Sequence, residues 1–158
     1  MKEKSKVNKD KLEKLLWSVA LPGFGQFLND KYVKAIVLII LEFVVNVMAN
    51  FNHVIVLSFH GEIQESIEQT NYLWLMFYPC LYFFAIWDAY KDADGENKPF
   101  SFLPFVFSAY FMTVGLILSP SFTLMGKLIG PIWLPIIFLP IGIIVGFALK
   151  WVLLKFST

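Results

Sequence analysis

Four polar residues recur through an otherwise apolar stretch, LEFVVNVMANFNH: Glu42, Asn46, Asn50 and His53. On a straight α-helix they fall at about 0°, 40°, 80° and 20°, which is one narrow face. A carboxylate at the centre of a membrane helix costs roughly 2.5–3.5 kcal/mol on insertion scales, so such a group turns toward a bundle interior or water. Two chemistries fit this face. One is a proton or cation path, or a polar ligand site, with Glu42 as its ionisable centre. The other, which is preferred, is hydrogen bonding between helices, with Glu42 protonated or paired and the asparagines bonding across. Asn52 lies off the face, and His53 stands near its end.

Other clusters are weaker. Asp88, Asp92, Asp94 and Glu96 suggest a calcium loop, but Tyr90 and Pro99 stand where oxygen ligands are needed. A solvated turn is expected there instead. Glu62, Glu65 and Glu68, beside His60, could share a helix face, yet transition-metal spacing is absent. That segment reads as an acidic, solvated loop. Cys80 is the sole cysteine, so no intrachain disulfide forms, and it reads as a packed apolar residue. No nucleophile triad, phosphate loop or dinucleotide fingerprint is visible. No enzyme activity, metal, cofactor or nucleic acid partner is expected.

The elements that would position these residues are membrane helices. The chain has 158 residues, 58% hydrophobic and only 16% charged, where a soluble domain carries about 25% charge. The charge sits in blocks, and the apolar runs between them approach the roughly 20 residues that cross a bilayer. We expect an all-α, polytopic helical membrane protein. A Lys-rich tail covers 1–14, as a disordered or surface helix. Four spans cover about 35–59, 72–88, 100–118 and 128–151, with prolines kinking the last. Lys127 lies in the short loop before it. Trp87 and Tyr90 suit an interface. Gly126–Gly130 and Gly142–Gly146 are small-residue pairs of the kind that let helices approach closely.

Residues 15–28 decide the topology. They run apolar, break at Pro22-Gly23, and continue through Gly25 and Gln26. A cleaved signal peptide would need a small-residue cleavage site, which is missing. All 13 basic residues are lysines, which lack the planar fork of arginine for anion capture. If 15–28 does not cross, Lys2, Lys4, Lys6, Lys9, Lys11, Lys14, Lys31, Lys34, Lys91, Lys98, Lys150 and Lys155 share one side. Only Lys127 is then opposite. If it crosses, the split is seven against six. Positive charge concentrates on the cytoplasmic side, so the first arrangement is preferred. It gives both termini cytoplasmic, four spans, and a re-entrant or short hairpin element bent at Pro22-Gly23. The bend reads first as packing, with Gln26 satisfying backbone groups, and second as a gate or docking hairpin.

The stretch ALPGFGQFLNDKYVKA resembles the signature of small bacterial membrane proteins related to the TM-two domain family. The matching positions are Pro22, Gly23, Gly25, Gln26, Phe27, Lys34 and Ala35. The resemblance covers residues 15–50 and departs at Asn29-Asp30 and Ala35, where glycine is common in the family. It implies a helical hairpin, and so leans toward a fifth span, but it implies no activity. The last hundred or so residues have no counterpart in a two-helix domain.

The expected function is a non-enzymatic accessory, scaffold or regulatory subunit of a membrane assembly. A transporter or channel component using the polar face is the alternative. The bilayer is the expected partner, with anionic lipid at the Lys-rich tail and a membrane protein or second copy as candidate protein partners. A composition rich in Lys, Asn, Ile and Phe fits an AT-rich bacterial genome, and hence the bacterial cytoplasmic membrane.

Overall fold

The computed structural model describes residues 2–94 and 98–157, with the side chains of residues 2–6 and 8 outside that description. It is all-α apart from one small hairpin. The described elements are α1 (Lys2–Ala20), α2 (Phe24–Leu28), α3 (Tyr32–Met48), α4 (Phe51–His60), α5 (Ile63–Gln69), α6 (Tyr72–Leu75), α7 (Tyr78–Asp92), α8 (Leu103–Leu118), β1 (Thr123–Leu124), β2 (Lys127–Leu128) and α9 (Gly130–Phe156).

The closest pairing joins α8 to α9. A β-carbon on Gly142 would lie 2.5 Å from the Phe107 carbonyl oxygen. One on Gly146 would lie 2.5 Å from the Pro104 α-carbon. Here the spacing i, i+4 serves packing inside the molecule. Gly126–Gly130 does not behave this way. Gly126 occupies the hairpin turn at φ 79° with open space around it, so no helix face exists there to approach. The expected loop before the last helix is this hairpin, with Thr123 opposite Leu128 and Leu124 opposite Lys127.

Among the described residues, α9 alone is long and apolar enough to cross a bilayer unaided. The expected single span at 35–59 is two helices, α3 and α4, bent by 59° at their junction. Asn50 takes the left-handed conformation there, at φ 58°, which asparagine tolerates better than most residues. The expected span at 72–88 is broken after Leu75. It restarts with Pro79 in the first turn of α7, and runs on to Asp92. Proline is favoured there because its missing N–H would be unpaired in any case. The third and fourth apolar runs begin later than expected, at Leu103 and Gly130, and the last extends to Phe156. From Lys2 the Lys-rich segment is helical and runs without interruption into the apolar residues up to Ala20, as α1. The acidic segment is also helical, as α5.

Contacts along α7 fix the course of the first thirty residues. Lys11 places its ammonium over the Tyr90 ring, 4.8 Å from the centroid. Further along α1, the Val19 carbonyl accepts from the Tyr82 hydroxyl at 2.6 Å. The chain then turns. Gln26 reaches Ala85, Asn29 reaches Ala89, and Lys34 reaches Asp88 and Asp92. So α1 descends beside α7 by eight residues, about 12 Å at the helical rise. The segment α2 returns to the end where it started. The opposite end of the bundle is closed by other bonds. Trp133 Nε1 donates to the Ser58 carbonyl at 3.2 Å, and the Tyr72 and Ser119 hydroxyls lie 3.1 Å apart.

Replacing Gly146 with leucine should force α9 off α8. Overpacking of this kind costs about 1–3 kcal/mol. The check is thermal unfolding of the purified variant in detergent, where the midpoint should fall.

Candidate functional site

The strongest polar cluster lies where α1, α2, α3 and α7 meet. Its centre is Asp88, only 5% exposed. Gln26, fully buried, donates from Nε2 to the Ala85 carbonyl at 2.8 Å and to Asp88 Oδ2 at 3.1 Å. Lys34 donates from Nζ to Asp88 Oδ1 and to Asp92 Oδ2, both at 2.8 Å. Asn29 Nδ2 donates to the Ala89 carbonyl at 2.8 Å. Lys34 sits just before the apolar run, at the polar margin.

The two glycines of the bend make these bonds reachable. Gly23 has φ 103°, and a β-carbon there would lie 2.7 Å from the Ala35 carbonyl oxygen. Gly25 is wedged between α1 and α7. A β-carbon on it would overlap the Ser18 hydroxyl and come within 2.6 Å of the Ala89 β-carbon. Pro22 is buried beside them. Gln26 does satisfy backbone, but the backbone is that of α7 rather than of the bend.

This cluster corrects the reading of Asp88 as part of a solvated turn. Asp88 and Asp92 belong to α7, and Asp94 is exposed beyond it. Glu96 lies outside the described residues. Burial of Asp88 leaves Lys34 and Gln26 as its partners. The signal in the sequence was an aspartate within an apolar helical pattern, AIWDAY, with Lys34 ahead of the first long apolar run.

The four-residue face is not continuous. Glu42 is buried, and its Oε2 has no hydrogen-bond partner. Asn46 bonds to Asn52, the residue expected off the face, at 3.1 Å. Asn50 forms the bend and donates to the Gln69 carbonyl at 3.3 Å. His53 is exposed. The helical spacing holds only within α3, because the bend at Ala49-Asn50 redirects everything after it.

The remaining candidates separate. Glu62, Glu65 and Glu68 are exposed, while Ser66, among them, is buried on Ser58 with oxygens 2.7 Å apart. Among the described residues no group of three or more histidine, cysteine or acidic side chains is placed to hold a metal ion. Cys80 is free and exposed rather than packed inside. Comparison with protein-family models, curated proteins and solved structures finds no match.

Gln26→Leu should destabilise the protein by about 1–3 kcal/mol, because it leaves buried acceptors without a donor. Combining it with Asp88→Leu should lose less than the two single changes added. A coupling of about 0.5–3 kcal/mol is expected between contacting residues. Thermal unfolding of the four proteins of this cycle in detergent measures it, and additivity would show that the bond carries no energy.

Proposed function

We propose that the chain is a multi-pass membrane protein that serves as a non-enzymatic accessory, scaffold or regulatory subunit of a membrane assembly. One observation carries the membrane reading: large apolar side chains cover much of the outer surface. Large apolar groups face outward, as with Phe43 at 69% and Ile144 at 67% exposed, while Gln26, Ser18, Ser58 and Asp88 are buried. Soluble monomers rarely expose contiguous apolar surface of this extent. The spans are α3 with α4, α6 with α7, α8, and α9. The α1–α2 element is re-entrant. Both termini lie on the cytoplasmic side, the side that gathers lysine.

The accessory reading is supported by how the polar groups are used. Gln26, Asn29, Lys34, Ser58, Tyr72 and Tyr82 all spend their bonds joining one helix to another. Exposed Leu12, Leu16 and Trp17 beside Lys9 on α1 suit a surface of anionic lipid. The resemblance to the TM-two domain family rests on the bend motif and belongs to this proposal. A transport role remains the second reading. It is favoured by the unpartnered Oε2 of buried Glu42.

Three measurements test these statements. In a Cys80→Ala background, Lys127→Cys should react with an impermeant thiol reagent applied outside intact cells, and Lys9→Cys should not. External labelling at Lys9→Cys would overturn the topology. Mild-detergent extraction with crosslinking and mass spectrometry should recover a stoichiometric membrane-protein partner, and its absence would end the accessory reading. Glu42→Gln should leave ion flux in proteoliposomes unchanged. A loss of flux would establish the transport reading instead.

A further inference from the structure

The hairpin between α8 and α9 carries the wrong residue for its own turn. Thr123 pairs with Leu128 and Leu124 with Lys127, so Met125 and Gly126 are the two turn residues. Both take positive φ, 50° and 79°. Two-residue hairpin turns of this hand favour Asn-Gly, because a β-carbon at positive φ crowds the following carbonyl oxygen. Methionine has no short polar side chain to offset that crowding. Its side chain also touches almost nothing, being 98% exposed. Residues 121–127 are all exposed, Phe122 and Leu124 among them. A turn that faced only water would be better served by asparagine. An apolar tip held out on a strained backbone is stabilised only where something apolar receives it.

The length of α9 says what that is. Trp133 and Trp151 lie 18 residues apart on this helix, about 27 Å at the helical rise. That is close to the thickness of a bilayer's hydrocarbon core, roughly 30 Å, and tryptophan collects at both edges of that core. With Lys150 and Trp151 at the inner edge, Trp133 marks the outer edge. Gly130, three residues earlier, then lies about 4.5 Å outside it, in the headgroup layer. The hairpin closes there, where the Ile129 N–H donates to the Phe122 carbonyl at 3.4 Å. From this base its strands reach no more than about 10 Å, so the tip stands within reach of the acyl chains. Only the side toward α5 is polar, where Glu62, Glu65 and Lys127 line a cleft of about 610 Å³. We infer that the hairpin is a membrane anchor: Met125, with Leu124 and Phe122, inserts at the acyl boundary of the outer leaflet, and Lys127 stays among the headgroups, where water still reaches it. The inference rests on the membrane reading above. No charged residue lies between Lys127 and Lys150, so such an anchor sets the depth of a helix that little else would fix.

Fluorescence of the full chain in phosphatidylcholine vesicles tests this, in the Cys80→Ala background. A polarity-sensitive fluorophore on Met125→Cys should emit to the blue of the same fluorophore on Glu65→Cys, an exposed position on α5. Phosphatidylcholine brominated on its upper acyl carbons should quench it. Aqueous iodide should quench it about tenfold less than at position 65, the preference that burying a methionine side chain supplies. Met125→Asn removes the apolar tip and suits the turn, so the circular dichroism should not change. In that variant, quenching by the brominated lipid of a fluorophore on Leu124→Cys should fall severalfold. Water-like emission at position 125 in vesicles would overturn the inference, as would unchanged lipid quenching at position 124 in Met125→Asn. Protection of position 125 in native membranes but not in vesicles would also overturn it, and would assign the tip to a protein partner. Failure of the membrane reading is separately visible, because the protein would then be recovered from cells without detergent.

Discussion

A carboxylate surrounded by apolar helices needs a counter-charge and donors, and Asp88 is placed where only a few residues can supply them. This constraint organises the molecule. Lys34 brings the start of α3 to the end of α7. Gln26 brings α2 to the same point, and α2 brings α1 with it. Breaking a buried pair by removing one partner is strongly destabilising, because the other charge stays buried. The arrangement therefore specifies which end of each helix meets which, more than it adds net stability. The apolar contacts around it could be made in several registers, but the bonds of Asp88 can be made in one.

The two halves of the bundle are held by different means. The α8–α9 pair relies on close backbone approach at Gly142 and Gly146, which strengthens dispersion contacts between the two helices. The α1–α2–α3–α7 group relies on side-chain hydrogen bonds. The far end combines both, with Ser58, Ser66 and Trp133 bonded and Phe59 packed on Trp133 at 4.8 Å between ring centroids.

Much of this was legible in the sequence, and what was hidden has a physical cause. Apolar runs separated by charge located α8 and α9. The Pro22-Gly23 break and Gly25 marked a bend, since glycine alone fits both the dihedral and the close approach. The bend after Ala49 was hidden because neither proline nor glycine stands there. Asn50 supplies the left-handed turn, and the helical face drawn through Glu42, Asn46, Asn50 and His53 assumed a rod that does not exist. Asp88 was hidden by its neighbours: Asp92, Asp94 and Gly95 make the whole stretch look like a loop. Only the register against Lys34, set in three dimensions, separates the buried aspartate from the solvated one.

The partners that hold the first segment lie far ahead in the chain. The bonds from Val19, Gln26, Asn29 and Lys34 to α7 link residues 54 to 63 positions apart. During synthesis α1 and α2 emerge before α7 exists. Until then the amide of Gln26 lacks the acceptors it has in the finished protein, so the segment cannot take its final place. It moves into place only when α7 arrives and presents Tyr82, Ala85 and Asp88. The part of the protein made first is thus completed only after residues made some sixty positions later.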